Sequence, residues 1–331
     1  MVDMDTFQAL VLDNIGDQKN LGVKQLSTND LPDGEVTIKV AYSSVNYKDG
    51  LVGIKHQMVK SYPIIPGIDL SGTVLESTDE RYKEGDEVIV TSYMLGTGHS
   101  GGFSEVARVP AEWVVPLPEG LSLKESMILG TAGLTAALSI VKLENIGLKP
   151  DDGPVLVAGA TGGVGSIAVN MLAGRGYEVV ASTGKTDQED YLRRLGAKEI
   201  IHRNEIIDTD SRPTREKKWA AAIDPVGGKT LQYILSTLKY GGSVATCGLA
   251  GGVEVATTVI PFIARNINWL GIDSVMYPME KRLEAWSRLG DDLKPSALNE
   301  EMVTEVSLTE LPEVLGRILE GKVRGRTLVK L

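Results

Sequence analysis

The sequence predicts an α/β protein of two domains, one mostly β and one built on a doubly wound parallel sheet. Three observations carry this. The chain has 331 residues, and at ~150 residues per domain about two domains are expected. The apolar pattern changes character near residue 125. Beyond that point a glycine-rich turn stands between a short apolar strand and a helical pattern, within Pro154–Ser166.

Before residue 125, apolar residues recur in short runs between Gly and Pro turns, as in Phe7–Leu12, Val36–Ala41, Gly72–Glu76 and Glu87–Thr91. Such runs read as strands with tight turns. Later the period itself alternates. Pro154–Ala158 reads as strand, Gly163–Arg175 as helix, Tyr177–Ala181 as strand, Asp187–Leu195 as helix and Glu199–His202 as strand. Trp219–Asp224, Gly242–Cys247 and Ile267–Ile272 extend the series, with a helix at Lys229–Lys239. Alternating units of this kind imply a parallel sheet covered by helices. The tail is mixed: strand Met302–Val306, helix Leu308–Leu319, strand Arg326–Lys330. The expected domains are 1–125 and 126–296, with a C-terminal segment, 297–331, returning to the first.

Composition narrows the function. Lys and Arg number 34 against 44 Asp and Glu, a net charge of −10. That argues against nucleic-acid or anionic-membrane partners, which need a basic face. The single cysteine, Cys247, excludes an internal disulfide, and beside only His56, His99 and His202 it excludes by count a structural zinc site of four cysteines or of two cysteines and two histidines. Uninterrupted apolar runs fall far short of the ~20 residues of a membrane helix. Met1–Asp5 is acidic and carries no signal-peptide apolar core. A cytoplasmic protein is expected.

The glycine-rich turn is the strongest motif. A strand runs into Gly159-Ala160-Thr161-Gly162-Gly163-Val164-Gly165, and a helix follows. Glycines let the backbone approach a pyrophosphate, and the helix start offers free N–H groups and a positive dipole end. Thr161, Gly162, Gly163 and Val164 are therefore the candidates for holding a dinucleotide. The spacing is Ala160-x-Gly162-x-x-Gly165, with alanine at the first glycine position. A tight turn serving only helix–sheet packing is the alternative. The next strand ends in Ser182-Thr183-Gly184-Lys185, with no acid for ribose hydroxyls. A carboxylate there would repel a 2′-phosphate, whereas Ser182, Thr183 and Lys185 suit one, and Gly184 gives it room. NADPH is the expected cofactor. Arg203, just past the third strand, is a second candidate for the phosphate, against the alternative that it simply faces water.

At this point the residues resemble a family, the medium-chain dehydrogenase/reductase superfamily. The likeness is carried by Val45–Asp49, Pro66–Gly72, Lys83–Val88, Gly101–Glu105, Gly130–Ala136 and the glycine-rich turn. Cys247–Gly252, Pro261–Asn266, Gly271–Val275 and Gly325–Lys330 narrow it to the zinc-free YhdH/YhfP-type quinone oxidoreductases, which include NADPH-dependent acryloyl-CoA reductases. The resemblance implies a GroES-like mostly-β domain plus a Rossmann domain, with cofactor in the cleft. It places Asn46 and Tyr47 beside the nicotinamide as the expected catalytic pair, with Tyr47 also a cofactor contact. It adds Leu249, Ile263, Ser274 and Arg326 as further cofactor contacts. It also implies a homodimer joined at the edge of the Rossmann sheet, for which Ile267–Ile272 is the candidate strand.

Zinc-dependent relatives hold a catalytic metal with a Cys, a Gly-His-Glu segment and a later Cys or Asp. Here the corresponding residues are Asn46 and Gly67-Ile68-Asp69. Isoleucine cannot ligate a metal, and a lone Asp69 cannot build a site. Metal-free catalysis is expected. Without a Lewis acid for an alkoxide, the accessible reaction is hydride transfer to an alkene polarised by a carbonyl or thioester. The leading expectation is reduction of acryloyl-CoA or a similar short enoyl-CoA at its β-carbon. A quinone is the alternative substrate. A catalytically silent NADPH-binding sensor or structural protein is the alternative of another class. For Tyr47 itself, a packing aromatic with a bonded hydroxyl is the plainer reading.

Overall fold

The computed structural model describes residues 6–15, 18–298 and 301–331. Met1–Asp5, read above for a signal-peptide core, lie outside the described residues. The chain forms two compact units. The first gathers 1–131, 275–291 and 298–331, and the second 132–274 with 292–297.

The first unit opens with an antiparallel pair, β1 (Thr6–Ile15) and β2 (Gln18–Ser27). Then come β3 (Val36–Val45), helix α1 (Tyr47–Gly53), β4 (Asp69–Ser77), β5 (Glu87–Thr91), β6 (Val106–Val109) and β7 (Val114–Pro116). β3, β4, β5 and β7 lie side by side and antiparallel, and β6 pairs with β3. Val36, Ile38, Val88, Val90 and Val114 form one buried core of this unit. Each such side chain, fully buried, is worth about 1.5–3 kcal/mol. β2 escapes a reading by apolar runs because Gln18, Lys19, Asn20, Lys24 and Gln25 interrupt it. Leu21, Val23 and Leu26 still pack on the core.

Helix α2 (Leu123–Asn145) carries the chain from the first unit into the second. By length and composition it qualifies as a membrane-spanning helix, which a search for uninterrupted apolar runs does not reveal. Most of it is buried within the protein, as in a core helix.

The second unit contains β8 (Val155–Val157), α3 (Gly163–Gly174), β9 (Val179–Thr183), α4 (Glu189–Arg194), β10 (Glu199–His202) and β11 (Trp219–Asp224). It continues with α5 (Gly228–Thr237), β12 (Leu238–Thr246), α6 (Ile260–Arg265) and β13 (Asn268–Gly271). The six strands form one parallel sheet in the order β10-β9-β8-β11-β12-β13. Every residue of β9 and β11 is buried, as expected of central parallel strands covered on both faces. The outermost strands, β10 and β13, are only partly covered. The order proceeds outward from β8 in both directions. The connection therefore reverses between β8 and β11, and in such sheets ligands bind outside the strand ends at that point.

Helix α7 (Met279–Leu289) belongs to the first unit, although the sequence reading placed 126–296 in one domain. The reason is a buried anchor. The Arg282 guanidinium donates to the Thr91 and Val275 carbonyls and stacks 4.3 Å from the Tyr93 ring centre. Trp286, one turn on, is fully buried. Residues 126–131 also stay with the first unit. In the tail, β14 (Val303–Val306), α8 (Leu311–Leu319) and β15 (Arg326–Lys330) follow. β15 runs antiparallel to β3 and parallel to β14. Leu311 and Leu315 of α8 pack with Phe7, Leu10 and Phe103.

Candidate active site

In the first unit a buried polar knot gathers at the start of α1. Asn46 precedes the helix, and its backbone N–H donates to Asp49 Oδ2 at 2.7 Å. The N3 carboxylate thus satisfies a donor that the helix leaves open. Asp49 Oδ1 also accepts from Ile68 N, tying α1 to the bend that leads into β4. The Asn46 side chain turns elsewhere: its Nδ2 donates to Asp69 Oδ2 at 2.7 Å. Asp69 further accepts from Ser44 Oγ, Thr131 N and Thr131 Oγ1.

Arg326 completes the knot. It is 2% exposed. Its guanidinium donates to Ile128 O, Val45 O, Ser44 Oγ and Asn46 Oδ1, and stands 3.9 Å from Asp69 Oδ2. The expectation that Arg326 contacts cofactor is therefore corrected: its donors are spent inside the first unit, where it offsets a buried carboxylate. Such a pair is costly to break, because either partner alone is an uncompensated buried charge.

Gly130 makes the knot possible. It breaks α2 with φ 52 and ψ −154. A Cβ there would sit 2.5 Å from Asp69 Oδ2 and 2.6 Å from Ser44 Oγ. The break presents the next residue, Thr131, to Asp69 with both its N–H and its hydroxyl. Asp49 feels two opposing influences. Burial and the neighbouring Asp69 charge push its carboxyl up to about 7, against the two N–H donors that favour the ionised form. Beside this knot Tyr47, 39% exposed, offers a hydroxyl with no hydrogen-bond partner among the described residues.

In the second unit the glycine-rich turn follows β8. Gly159 takes the left-handed backbone, φ 57. A Cβ on Gly162 would meet only Gly159 O, at 3.3 Å, so the outer side of the turn is open. Ser166 N makes the first bond of α3, to Gly162 O. The preceding N–H groups, of Gly163, Val164 and Gly165, are therefore those an α-helix leaves without an internal partner. Gly165 permits close approach, since a Cβ there would lie 2.8 Å from Ala160 Cα.

The end of β9 brings together part of the predicted set. Thr161 Oγ1 and Thr183 Oγ1 are 3.2 Å apart, and Lys185 N donates to Thr183 Oγ1. Arg203 lies against Gly184: a Cβ on Gly184 would be 2.5 Å from Arg203 Nε. Ser182 is a correction. Its side chain is fully buried and its hydroxyl has no partner among the described residues, so it does not join the others. Successive residues of a strand face opposite sides, and Ser182 shares the side of Val180, which is in the core.

At the neighbouring strand ends, Asp224 of β11 accepts from Val226 N and Gly227 N. Burial pushes its carboxyl up to about 6, against those donors. The Leu249 turn packs on that loop through Gly251 N to Val226 O, leaving Leu249 exposed. Ser274 Oγ accepts from Thr135 Oγ1. Ile263 on α6 is 78% exposed. Cys247 is half-buried and its thiol is pushed up to about 12, chiefly by desolvation, which leaves it unreactive.

Ser44, Gly130 and Thr131 are the site residues that sequence reasoning does not select; Asp49 and Asp69 it reads as orienting or structural. The Gly130-Thr131 pair is a signal that could have found two of them.

Two family models match the chain. The Alcohol dehydrogenase GroES-like domain covers residues 32–119, and Zinc-binding dehydrogenase covers 163–289. The chain is 54% identical over 326 residues to YhfP of Bacillus subtilis, a putative quinone oxidoreductase, covering 98% of this chain and 99% of YhfP. The chain belongs to the medium-chain dehydrogenase/reductase superfamily. Within that superfamily it is also 51% identical to the acrylyl-CoA reductase AcuI of Ruegeria pomeroyi, over 98% of both chains. The crystal structure of the YhdH oxidoreductase from Salmonella enterica, in complex with NADP, matches at a TM-score of 0.94 and 46% identity, covering 98% of this chain and 99% of that one. YhfP, crystallised with NAD bound, matches at a TM-score of 0.95, over 98% of this chain and 99% of its own. As in other medium-chain dehydrogenases/reductases, a GroES-like unit accompanies a Rossmann unit.

Proposed function

We propose that the protein is a zinc-independent, NADPH-dependent reductase of activated alkenes, acting on acryloyl-CoA or a similar short enoyl-CoA. The observation that carries this reading is the 51% identity to an acrylyl-CoA reductase over nearly all of both chains. The open glycine turn, the free N–H groups at the start of α3 and the Arg203–Gly184 contact fit a phosphorylated dinucleotide. Such a dinucleotide, when bound, supplies the hydride. Gly162, Gly163 and Val164 hold its pyrophosphate, and Arg203 and Lys185 its 2′-phosphate. Leu249, Ile263 and Ser274 are assigned to its nicotinamide half.

The rest falls to the first unit. Tyr47 donates its hydroxyl to the thioester carbonyl oxygen, whose negative charge grows as the alkene is reduced. Asn46, held by Asp69 and Arg326, fixes the start of α1 and so the position of Tyr47. The first-ligand position is occupied by an asparagine already bonded to Asp69, and the histidine position by Ile68. This donor set suits hydrogen bonding and not metal ligation.

The name of YhfP favours a second reading, quinone reduction. Purified protein with NADPH, tested on acryloyl-CoA, crotonyl-CoA and benzoquinones, separates the two. Turnover of quinones alone overturns the first. Binding of NADPH with no turnover on any of them means a silent binding protein. We also place the protein in the cytoplasm, where Cys247 stays reduced, as a homodimer paired along β13. That strand is an uncovered edge with Trp269 exposed, and bare edges invite pairing. Light scattering at the mass of a single chain overturns the dimer.

A further inference from the structure

The chain as a whole carries a charge of −10, yet one segment of the first unit is basic. From Tyr47 to Ser61 the only acid is Asp49. It is buried, with its carboxylate committed to the N–H groups of Asn46 and Ile68. Lys55 and Lys60 are exposed, and neither forms an ion pair among the described residues. Lys19 stands 5.4 Å over the Tyr62 ring. It is close enough to His56 that its charge, after burial, helps hold the imidazole below its ordinary pKa. His56 Nδ1 is buried with no hydrogen-bond partner.

The segment holding these cations is shaped, not loose. His56 and Met58 both take left-handed backbone, φ 56 and φ 63. Non-glycine residues adopt that region at a cost, and such positions cluster at ligand-binding sites. Lys60 N donates to Thr97 O at 3.2 Å. The Lys60 stem lies along Gly98, where a Cβ would be 3.0 Å from Lys60 Cδ. Along Tyr47–Ser61, lysines with no exposed acid among them do not stabilise a fold. They suit an anion.

We propose that Lys55 and Lys60, with Lys19 beside them, hold the phosphate groups of a coenzyme A thioester. The proposal rests on the enoyl-CoA reading above. Position supports it. Helix α1 begins at Tyr47 and spans seven residues, about 10 Å at 1.5 Å per residue. Lys55 follows two residues after its end. The basic segment and the Tyr47 hydroxyl are thus separated by one short helix, a span that a pantetheine arm covers between thioester and phosphates.

The test compares acryloyl-CoA with acryloyl-N-acetylcysteamine, the same thioester without phosphates, in the NADPH-dependent assay. In Lys55→Glu/Lys60→Glu, the ratio of kcat/KM for acryloyl-CoA to that for the truncated thioester falls at least about tenfold, the size expected of one lost charge-assisted contact. High salt lowers the same ratio in the unmodified protein, because exposed charges are screened. Lys83→Glu, an exposed lysine elsewhere in the unit, leaves the ratio in place. An unchanged ratio in the double variant overturns the proposal. So does a parallel rise in KM for NADPH alone, which would assign these cations to the cofactor's phosphates. If the unmodified protein reduces the truncated thioester and acryloyl-CoA equally well, the phosphate site is wrong and the reductase reading stands. If it reduces neither, both fail.

Discussion

Asn46 Nδ2 donates to Asp69 Oδ2 at 2.7 Å, joining the residue before α1 to the first residue of β4. The same carboxylate faces Arg326, and both charges are buried. Asp69→Ala therefore strands a guanidinium in the interior and is expected to cost about 3–5 kcal/mol. Asn46→Ala removes the bonds from Nδ2 to Asp69 and to Ser44 O and the bond that Oδ1 accepts from Arg326, but it strands no charge and leaves Arg326 its other acceptors, so about 1–3 kcal/mol is expected. Urea denaturation of the two variants checks the order. Equal losses would show that Arg326 does not depend on Asp69.

Tyr47 is exposed beside the knot and takes no part in its bonds. Tyr47→Phe should leave the melting temperature within a degree or two of the parent, since the hydroxyl has no partner to lose among the described residues. The kcat for acryloyl-CoA should fall about a hundredfold or more, as for loss of a donor to developing oxyanion charge. Retention of full kcat would make Tyr47 a packing residue. The pH dependence of the residual rate then shows whether solvent supplies the proton.

Arg203 crosses Gly184 at the end of β9. Arg203→Ala should lower kcat/KM for NADPH about 10–100-fold, the worth of one or two charge-assisted contacts to a phosphate. NADH, lacking the 2′-phosphate, should be little affected. Gly184→Val should act in the same direction, because its Cβ displaces the guanidinium. Steady-state kinetics with both cofactors decides the matter, and it bears directly on the contrast between the NADP and NAD complexes of the two crystallised relatives. Parallel losses with both cofactors would place Arg203 away from the phosphate.

Gly165 lets α3 close on the turn after β8. Gly165→Ala forces a Cβ against Gly159 O and Ala160 Cα. Overpacking of this kind costs about 1–3 kcal/mol. Thermal denaturation should show the loss, and NADPH fluorescence titration should show weakened binding, because the N–H groups of the first turn are displaced together.

The Asp49 carboxyl ionises at about 7 in the folded protein, against 3.8 for a free side chain. The folded state then holds a proton that the unfolded chain has lost. Stability from this group is complete below about pH 4 and drains as the pH rises toward 7. Asp49→Asn cannot ionise, so its stability should fall less between pH 4 and pH 7 than that of the parent. Melting temperatures across that window test the sign, and identical slopes would mean that Asp49 is ionised throughout.

The glycine turn, the acid-free end of β9 and the altered zinc positions all stood in the sequence, because each is a local matter of backbone room, charge sign or ligand chemistry. So did the parallel sheet, since continuous apolar runs such as Trp219–Asp224 bury both faces whatever surrounds them. The partners of Asp69 were not legible. Ser44, Thr131 and Arg326 lie 25, 62 and 257 positions from it, and no spacing rule links them. Only the pairing of β15 with β3 and the break at Gly130 bring them to one carboxylate. Nor did charge pattern reveal that α7 covers the first unit, because an amphipathic helix states which side is buried but not against what. The sequence alone determined the folding units and the chemistry available to them. Tertiary structure decided which polar groups meet, because a buried charge is tolerated only where distant strands deliver its partners.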